Sequence, residues 1–291
     1  MAEPFPIAYL NGTFLPLRDA RVSPLDRAFL YADSVYEVAP VYGGRVFRFR
    51  EHFDRLDRSL NELRMRPVYA REQWAKVCDE LIARNGGGDM YIYVQVSRGA
   101  EYGRNHAPLP EVERTVFAFA SALPPVTRER LERGVAAVTA EDTRWQRCDI
   151  KSTALLANVM LKQLAVDANA TETILLRDGQ MMEGSSTTVH VVVGGEIRTP
   201  PKSHSILPGT TRDVVSELAS RERIPFRSIA VSAEELRKAE EVFIAAATIG
   251  TLAVTRLDGQ PVGAGVPGPL WKRIHAAYES YKRELTGTPA Y

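Results

Sequence analysis

The stretch SALPPVTRER, residues 121–130, divides the sequence into two parts. Pro124 and Pro125 stand side by side. Proline is disfavoured in helix interiors and central strands, because it lacks an N–H and its φ angle is fixed. The pair therefore predicts a linker at residues 122–128, between a smaller first domain at 1–121 and a larger second domain at 129–291. Both parts are long enough to bury a core of their own.

The part before the linker combines hairpins, helices and long strands. IAYLNGTFLPL and SVYEVAPVYGGRVFRF each place a tight-turn pair, Asn11-Gly12 or Gly43-Gly44, between two apolar runs, which predicts two hairpins. EHFDRLDRSLNELRM and REQWAKVCDELIARN have helical spacing of apolar residues. MYIYVQVSRG and ERTVFAFASAL are rich in aromatic and β-branched residues, which is typical of strands.

The part after the linker alternates irregularly between the two kinds of element. GVAAVTAED predicts a strand, and STALLANVMLKQLAVDA predicts a helix with Ser152 or Thr153 as its N-cap. A strand meander at residues 173–200 precedes the helix GTTRDVVSELASRERI, and SAEELRKA has the pattern of a capping box. Two strands, EVFIAAAT and TLAVTRL, and a C-terminal helix complete the chain. The predicted fold class is α+β, in two domains, rather than a regular βαβ array.

The composition excludes several classes of function. Lys plus Arg is 37 and Asp plus Glu is 36, for a net charge of +1, which predicts no nucleic-acid partner. The sequence lacks an apolar run long enough to span a membrane and a secretion signal at MAEPFPIAYLNG, so no membrane role is expected. Cys78 and Cys148 are the two cysteines, which favours a reducing, cytoplasmic setting. No metal site is predicted.

Single residues give weak evidence of chemistry. Lys151, in RWQRCDIKSTALL, is ordinary as a surface lysine, but a predicted helix start beside it would favour the neutral, nucleophilic amine. Thr210 and Thr211 fit an N-cap and a phosphate site equally well. Glu183, in MMEGSST, is either a turn carboxylate or a partner for a cationic ring nitrogen.

The loop GRNHAPLP offers a carboxylate site or an exposed polar loop. Its Arg104 and His106 could grip a carboxylate, because arginine presents a planar fork of donors. Together with Lys151, Glu183 and the threonines at 210–211, these residues supply an amine nucleophile, a carboxylate for a pyridine nitrogen, a phosphate cradle and a carboxylate trap. Those parts are what an enzyme needs to hold pyridoxal phosphate and an amino acid.

The sequence resembles the fold-type IV pyridoxal-phosphate transaminases. The segments that carry this resemblance are VYEVAPVYGG, EHFDRL, RWQRCDIKS, the EGSS run at Glu183 and the TRDVV helix. Within that family it is most similar to the D-amino acid transaminases. The resemblance covers nearly the whole chain and implies two α+β domains with the cofactor site between them. It also implies a homodimer, in which the Arg-x-His loop reaches the neighbouring subunit's site.

The resemblance implies a role for each motif residue. Lys151 corresponds to the lysine that forms the internal aldimine, and Glu183 to the carboxylate that pairs with the pyridine nitrogen. Leu207 corresponds to the residue packed on the cofactor ring. The remaining cofactor-binding residues are expected at the phosphate: Arg55, Thr210, Thr211 and Thr248. The expected trap for the substrate carboxylate consists of Tyr36, Arg104 and His106.

The activity implied is transamination between a D-amino acid, such as D-alanine or D-glutamate, and 2-oxoglutarate or pyruvate, by way of the lysine aldimine and pyridoxamine phosphate. The alternatives in the same fold are a branched-chain L-amino acid transaminase, an (R)-amine transaminase and aminodeoxychorismate lyase. A binding protein that has lost catalysis is a further alternative, which the presence of both Lys151 and Glu183 disfavours.

The sequence departs from the family pattern in three places. The loop from Arg98 to Arg104 is one residue longer than is usual in the D-specific enzymes. Ala245-Ala246-Ala247-Thr248 stands where a Ser/Thr-rich turn is common, so that Thr248 is the one side chain able to contact the phosphate. Ala39-Pro40 follows the VYEV strand, where a longer polar side chain is common.

Overall fold

The computed structural model describes residues 3–123 and 125–287. Pro124, half of the pair that predicts the linker, lies outside the described residues. The chain divides into two compact units, one formed by Met1–Pro124, Ile150–Ala154 and Lys282–Tyr291, the other by Pro125–Asp149 and Leu155–Tyr281. The domain limits 1–121, 122–128 and 129–291 remain predictions. The division differs from them in assigning Lys151 to the first unit.

The first unit is built on a six-stranded antiparallel sheet. Its strands are β1 (Pro4–Leu10), β2 (Thr13–Pro16), β3 (Ser34–Tyr42), β4 (Arg45–Val46), β5 (Met90–Ser97) and β6 (Thr115–Ala122). They lie in the order β2-β1-β6-β5-β3-β4. β1 pairs with β2 across Asn11-Gly12, and β3 pairs with β4 across Gly43-Gly44, so that both predicted hairpins are confirmed.

Helices cover the core of this unit. They are α1 (Arg27–Tyr31), α2 (Phe49–Glu62) and α3 (Arg71–Arg84). In α2 the apolar side chains Phe53, Leu56 and Leu60 recur at helical spacing and are fully buried. They join a hydrophobic cluster with Trp74 of α3 and the inward side chains of the sheet. This burial orients α2, and with it the polar residues on the same helix that face β3.

The second unit contains a nine-stranded mixed sheet. Its strands are β7 (Val135–Glu141), β8 (Glu172–Arg177), β9 (Gln180–Gly184), β10 (Thr188–Val193), β11 (Glu196–Thr199), β12 (Phe226–Ser228), β13 (Glu241–Ala246), β14 (Gly250–Leu257) and β15 (Gln260–Pro261). The order is β12-β11-β10-β13-β14-β7-β8-β9, and β15 pairs with β14. The helices are α4 (Arg128–Arg133), α5 (Leu156–Asp167), α6 (Thr210–Arg221), α7 (Ala233–Lys238) and α8 (Pro269–Thr286), of which α8 belongs to this unit up to Tyr281.

The start of α5 differs from the sequence prediction. The helix begins at Leu156, and its N-cap is Leu155, which makes no side-chain cap bond. Ser152 forms a bridge with Val35, and the Thr153 N–H donates to the carbonyl of Ser34. These bonds to β3 take the place of helical bonds, so neither residue is the predicted N-cap. Lys151 therefore does not stand at a helix start, and the dipole argument for its neutral form was wrong.

The predicted capping box at α7 is confirmed. Ser232 accepts a bond from the Glu235 N–H, and the Glu235 side chain accepts from the Ser232 N–H. This reciprocal pair satisfies two backbone donors that a helix start otherwise leaves unpaired.

His190, on β10, is a polar side chain inside the sheet of the second unit. It is 0% exposed, and neither ring nitrogen has a hydrogen-bond partner among the described residues. Its ring stacks on Phe243 with a centroid separation of 4.7 Å and an interplanar angle of 3°. Burial, together with the nearby positive charge of Arg212, lowers the pKa of His190 to about 3. His190 therefore packs as a neutral aromatic ring.

Over residues 3–123 and 125–287, none of the helices combines the length and the apolar character needed to cross a membrane.

Candidate active site

Lys151 is held against β3 by its own backbone. The Lys151 carbonyl accepts from the Tyr36 N–H at 2.9 Å, and the Lys151 N–H donates to Ser59 Oγ at 3.3 Å. Its ammonium lies 4.3 Å from the centroid of the Tyr36 ring. The residue is thus fixed by strand-like pairing on one side and by α2 on the other, and it contacts one of the predicted substrate-binding residues.

A buried charge cluster lies on α2 and β3 of the same unit. Arg55 donates from Nε and Nη2 to the two oxygens of Glu37, at 2.7 and 2.8 Å, and His52 Nδ1 lies 2.8 Å from Glu37 Oε2. Burial raises the pKa of Glu37, but Arg55 and His52 outweigh it and hold this pKa far below the usual range. The pKa of His52 is lowered by burial. Arg55 is therefore oriented by a fixed carboxylate.

Arg104 and His106 lie together in the loop between β5 and β6. The Arg104 guanidinium is 5.1 Å from the centroid of the Tyr31 ring, and the His106 ring is 5.5 Å from the same ring. In the part of the chain that the structure describes, no hydrogen bond, ion pair or ring contact joins either residue to Tyr36. Within one chain, two of the predicted trap residues thus lie together at Tyr31 and make no contact with Tyr36 among the described residues.

Glu183 lies at the end of β9 in the second unit and is buried. It accepts from Arg144 Nη1 at 2.6 Å and from the Leu207 N–H at 3.1 and 3.2 Å. Burial raises the pKa of Glu183 to about 7, while Arg144 and the Leu207 N–H oppose the rise. Asp142 fixes Arg144 through two bonds of 2.9 and 3.0 Å. The result is a buried acid whose proton affinity suits a hydrogen bond to a ring nitrogen near neutral pH.

The segment from Leu207 to the start of α6 presents backbone donors. Thr210 and Thr211 are the first two helical residues and are buried, and the N-cap Gly209 makes no side-chain cap bond. A Cβ added at Gly209 would lie 2.7 Å from Thr188 Oγ1, so the close approach requires glycine. A helix start of this kind attracts an anion through its free N–H groups and its dipole. Of the two interpretations of Thr210 and Thr211, the N-cap does not hold, because Gly209 is the N-cap.

Two turns of the second unit carry further polar residues. Thr248 lies half-buried between β13 and β14. The turn after Glu183 is tied to a fully buried carboxylate, Glu172, which accepts from the hydroxyls of Ser185 and Ser186. Glu172 therefore fixes the position of the strand end that carries Glu183.

Sequence reasoning alone did not single out Glu37, Arg144, Asp142 or Glu172. For Glu37 a signal exists, because a charged residue inside the apolar run VYEVAPVY requires a buried partner. Arg144 lies within RWQRCDIKS, but its bond to Glu183 joins residues that are distant in sequence. A contact between residues so far apart in sequence can be identified only from the folded structure.

A family model described as Amino-transferase class IV matches residues 34–257, which is more than half of the chain. This chain belongs to the class IV aminotransferases. Enzymes of this class act on amino acid and 2-oxo acid substrates and use pyridoxal phosphate as cofactor.

Relatives of this class IV aminotransferase span almost its whole length. A D-alanine aminotransferase from Staphylococcus aureus (strain MSSA476) is 38% identical over 274 residues, 94% of this chain and 96% of the relative. A D-alanine aminotransferase from Bacillus licheniformis is 37% identical over 275 residues, 93% of this chain and 95% of the relative.

Solved structures of the family are similar in fold. The branched-chain amino acid aminotransferase of Escherichia coli has a TM-score of 0.89 at 27% identity, with 97% of this chain and 95% of that one covered. The branched-chain enzyme of a T.th. strain, solved with pyridoxamine 5'-phosphate, has a TM-score of 0.89 at 28% identity, with the same coverage.

The residues of this class IV aminotransferase fit the cofactor. Glu183 is a buried acid able to face a ring nitrogen, and the uncapped start of α6 has the chemistry of a phosphate site. The buried hydroxyl of Thr187 has no hydrogen-bond partner among the described residues, which is the state expected of a group that awaits a ligand. In the first unit, Lys151 carries a primary amine and Arg55 a buried guanidinium, which are the kinds of group that bind an aldehyde and a phosphate.

Proposed function

We propose that this class IV aminotransferase exchanges an amino group between a D-amino acid, such as D-alanine or D-glutamate, and a 2-oxo acid, 2-oxoglutarate or pyruvate. The observation that carries the proposal is the likeness to D-alanine aminotransferases, at 37% and 38% identity over 93% and 94% of the chain. The Arg104-x-His106 pair supports it, because both side chains can bind a carboxylate and lie in one loop.

The proposed roles follow from the chemistry of the side chains. Pyridoxal phosphate supplies an aldehyde carbon and an electron-accepting pyridine ring. Lys151 Nζ would hold the cofactor and, once the incoming amino group has displaced it, would as a neutral amine accept the proton from Cα of the amino acid. Glu183 holds the proton on the ring nitrogen, since Arg144 and the Leu207 N–H keep the carboxylate in place. Leu207 supports the ring.

The phosphate is assigned to four residues of the chain. Thr210 and Thr211 offer hydroxyls and the free N–H groups of the first turn of α6. Arg55 offers a guanidinium oriented by Glu37, and Thr248 offers the one hydroxyl of its turn. This set supplies charge and directional donors together, as a phosphate requires.

Substrate hand depends on where the α-carboxylate binds. In the proposed arrangement, Tyr36, Arg104 and His106 would hold the carboxylate so that the Cα hydrogen of a D-amino acid would face Lys151. Arg104 suits this task because, among the described residues, no carboxylate lies within 4.0 Å of its guanidinium. Its charge is therefore available for an anionic ligand.

A branched-chain L-amino acid aminotransferase is the second candidate, and the TM-score of 0.89 to two such enzymes favours it. Likeness of fold is shared by enzymes with different substrates, whereas sequence identity also includes the residues that contact the substrate. The identity is 27% and 28% to the branched-chain enzymes and 38% to the D-alanine enzyme of S. aureus.

A donor panel tests the substrate proposal. The holoenzyme is assayed with D-alanine, D-glutamate, L-leucine, L-alanine and (R)-1-phenylethylamine, with 2-oxoglutarate as acceptor. We expect kcat/KM for D-alanine or D-glutamate to exceed that for each other donor by about 100-fold or more. A preference for L-leucine would overturn the proposal in favour of the branched-chain activity. Catalytic release of pyruvate from aminodeoxychorismate without added 2-oxoglutarate, beyond one equivalent per cofactor, would instead indicate a lyase.

We further propose a homodimer in which the β5–β6 loop serves the site of the neighbouring subunit. On α5 the apolar side chains Leu156, Val159 and Met160 are exposed in the single chain, Leu156 by 74%. They lie at i, i+3 and i+4 and so form one apolar face, which a second copy of the chain would bury. Among the described residues of one chain, Arg104 does not contact Tyr36, which agrees with a trap completed by two subunits.

Mixed dimers test this arrangement. Chains carrying Lys151→Ala and chains carrying Arg104→Leu are co-expressed, so that hybrid dimers have one site with both defects and one with neither. We expect activity to recover to roughly a quarter of the unchanged enzyme, from random pairing.

The matched control pairs Lys151→Ala with Glu183→Ala, two changes assigned to the same subunit's site, and it should recover nothing. Activity equal to the sum of the two separate variants would show that Arg104 acts within its own subunit.

The setting proposed is the cytoplasm. The cysteines Cys78 and Cys148 are both free and buried, which suits a reducing compartment.

A further inference from the structure

The β5–β6 loop (residues 98–114) has no helix or strand of its own, although it carries Arg104 and His106. A loop of this length needs anchors if it is to hold two side chains in a binding geometry. Backbone bonds hold the start of the loop, where Ala100 forms a bridge with Asp26. The side-chain anchor of the part that carries the trap is Arg27, the first residue of α1. Its side chain is 5% exposed, so that its charge is satisfied by the protein rather than by water.

The Arg27 side chain binds the loop at His106 and at the residue before it, beside the predicted carboxylate-binding side chains. Nη1 donates to the carbonyl of Asn105 at 2.7 Å, and Nη2 donates to the carbonyl of His106 at 3.0 Å. Nη1 also lies 3.2 Å from Glu101 Oε1, whose carboxylate accepts from the Leu109 N–H. One guanidinium therefore fixes two consecutive carbonyls and a carboxylate of the same loop.

The opposite edge of Arg27 is fixed to the body of the unit. Nε donates to Asp33 Oδ2 at 2.8 Å, and Asp33 is also bound by Arg98 at 2.7 Å. Burial raises the pKa of Asp33, but Arg98 and Arg27 outweigh burial and lower it. The two arginines thus favour the carboxylate form of Asp33. Because Asp33 directly precedes β3, Arg27 links the loop to the strand that carries Tyr36.

Tyr31 completes the anchor one turn along α1. Arg27 contacts its ring at 4.7 Å and Arg104 contacts it at 5.1 Å, while the His106 ring lies 5.5 Å away. The charge of Arg27 is neutralised by Asp33 and Glu101, whereas no carboxylate of the described chain pairs with Arg104. Arg27 and Arg104 thus differ in role. The guanidinium of Arg27 is already paired within the protein, whereas that of Arg104 is available to a ligand.

We infer that Arg27 is the positioning residue of the substrate-carboxylate trap, acting through the backbone at residues 105–106 and through the Tyr31 ring rather than by touching the substrate. The inference rests on the proposed function, because it takes Arg104 and His106 as the trap. Lysine cannot replace Arg27, since a point charge cannot hold two carbonyls in the plane of a guanidinium.

The test variant is Arg27→Lys, which retains a cation for Asp33 and Glu101 and so limits loss of fold. In the holoenzyme we expect KM for D-alanine to rise about tenfold or more, with kcat changed less than about twofold. Hydrogen exchange of the amides at residues 101–107, measured with and without cofactor, should become faster. Arg71→Lys is the matched control, because Arg71 also binds two carboxylates, of Asp54 and Asp57, but makes no bond to the loop.

A double-variant cycle separates positioning from general stability. Arg104→Leu alone should raise KM by roughly ten- to hundredfold, and Arg27→Lys should add less than about twofold to it, because its effect passes through the trap. Independent, multiplying effects would overturn the inference, and so would an unchanged KM with unchanged loop exchange in Arg27→Lys. If Arg104→Leu leaves KM unchanged, the proposed trap itself fails, and faster exchange in Arg27→Lys then shows an anchor with no part in substrate binding.

Discussion

The Lys151→Ala variant is expected to lose transamination by about 10⁴-fold or more while remaining folded. The loss is large because one amine has two proposed tasks, to carry the cofactor and to move the proton at the substrate Cα. The fold should persist, because the bonds from Lys151 to Tyr36 and Ser59 use its backbone and not its side chain. The measurements are turnover with the preferred donor, circular dichroism, and cofactor retained by the protein after borohydride treatment and denaturation.

The control for this experiment is Lys238→Ala. Lys238 is an exposed lysine paired with Glu234 four residues earlier on α7. Its removal should change neither turnover nor the cofactor retained after borohydride. If Lys151→Ala kept more than about a tenth of the turnover, Lys151 would not be the proton-transfer group.

In the His190→Phe variant, the free energy of unfolding is expected to decrease less at acidic pH than in the unchanged protein. The pKa of His190 is lowered to about 3 in the folded protein from an ordinary value of 6.5. Between pH 3 and pH 6.5, the residue is therefore protonated in the unfolded chain and neutral in the folded protein. Folding is therefore unaffected above pH 6.5 and loses free energy as the pH falls below it. At pH 5 the loss from this group is ~2 kcal/mol, and it increases towards pH 3.

Urea-induced unfolding at pH 7.5 and pH 5 measures the effect. The fall in unfolding free energy between the two pH values should be ~2 kcal/mol smaller in His190→Phe than in the unchanged protein. Comparing the change with pH removes any packing cost of the larger ring, because that cost is the same at both values. His204→Phe is the control, since the His204 side chain is 71% exposed and already meets water in the folded state. An equal fall in parent and His190→Phe would show that His190 is protonated in the fold.

Local sequence pattern was a good guide to the elements of this chain. Asn11-Gly12 and Gly43-Gly44 predicted hairpins because a tight turn depends on the residues within it. The apolar spacing of EHFDRLDRSLNELRM predicted α2, because helical spacing depends on neighbours three and four residues apart. Signals of this kind do not depend on the rest of the fold, and the structure confirms them.

The pattern was misleading where a distant strand competes with a local helix. Ser152 and Thr153 have the side chains of an N-cap, yet their backbone pairs with β3, more than a hundred residues earlier in the chain. That pairing moves the start of α5 to Leu156. Pairing with an existing strand edge gives the segment its backbone bonds without a helix nucleus, and no local signal reports such an edge.

By itself, the sequence determined the class of the protein and the chemical groups it carries: a class IV aminotransferase with Lys151, Glu183, Arg104 and His106 in its motifs. The tertiary structure alone decided how those groups are held. Glu37 fixes Arg55, Arg144 fixes Glu183, and Arg27 fixes the loop of Arg104. The physical reason is that each of these three interactions is a charge-assisted hydrogen bond between residues distant in sequence. Such a bond forms only after folding has brought the two residues together and removed the water between them.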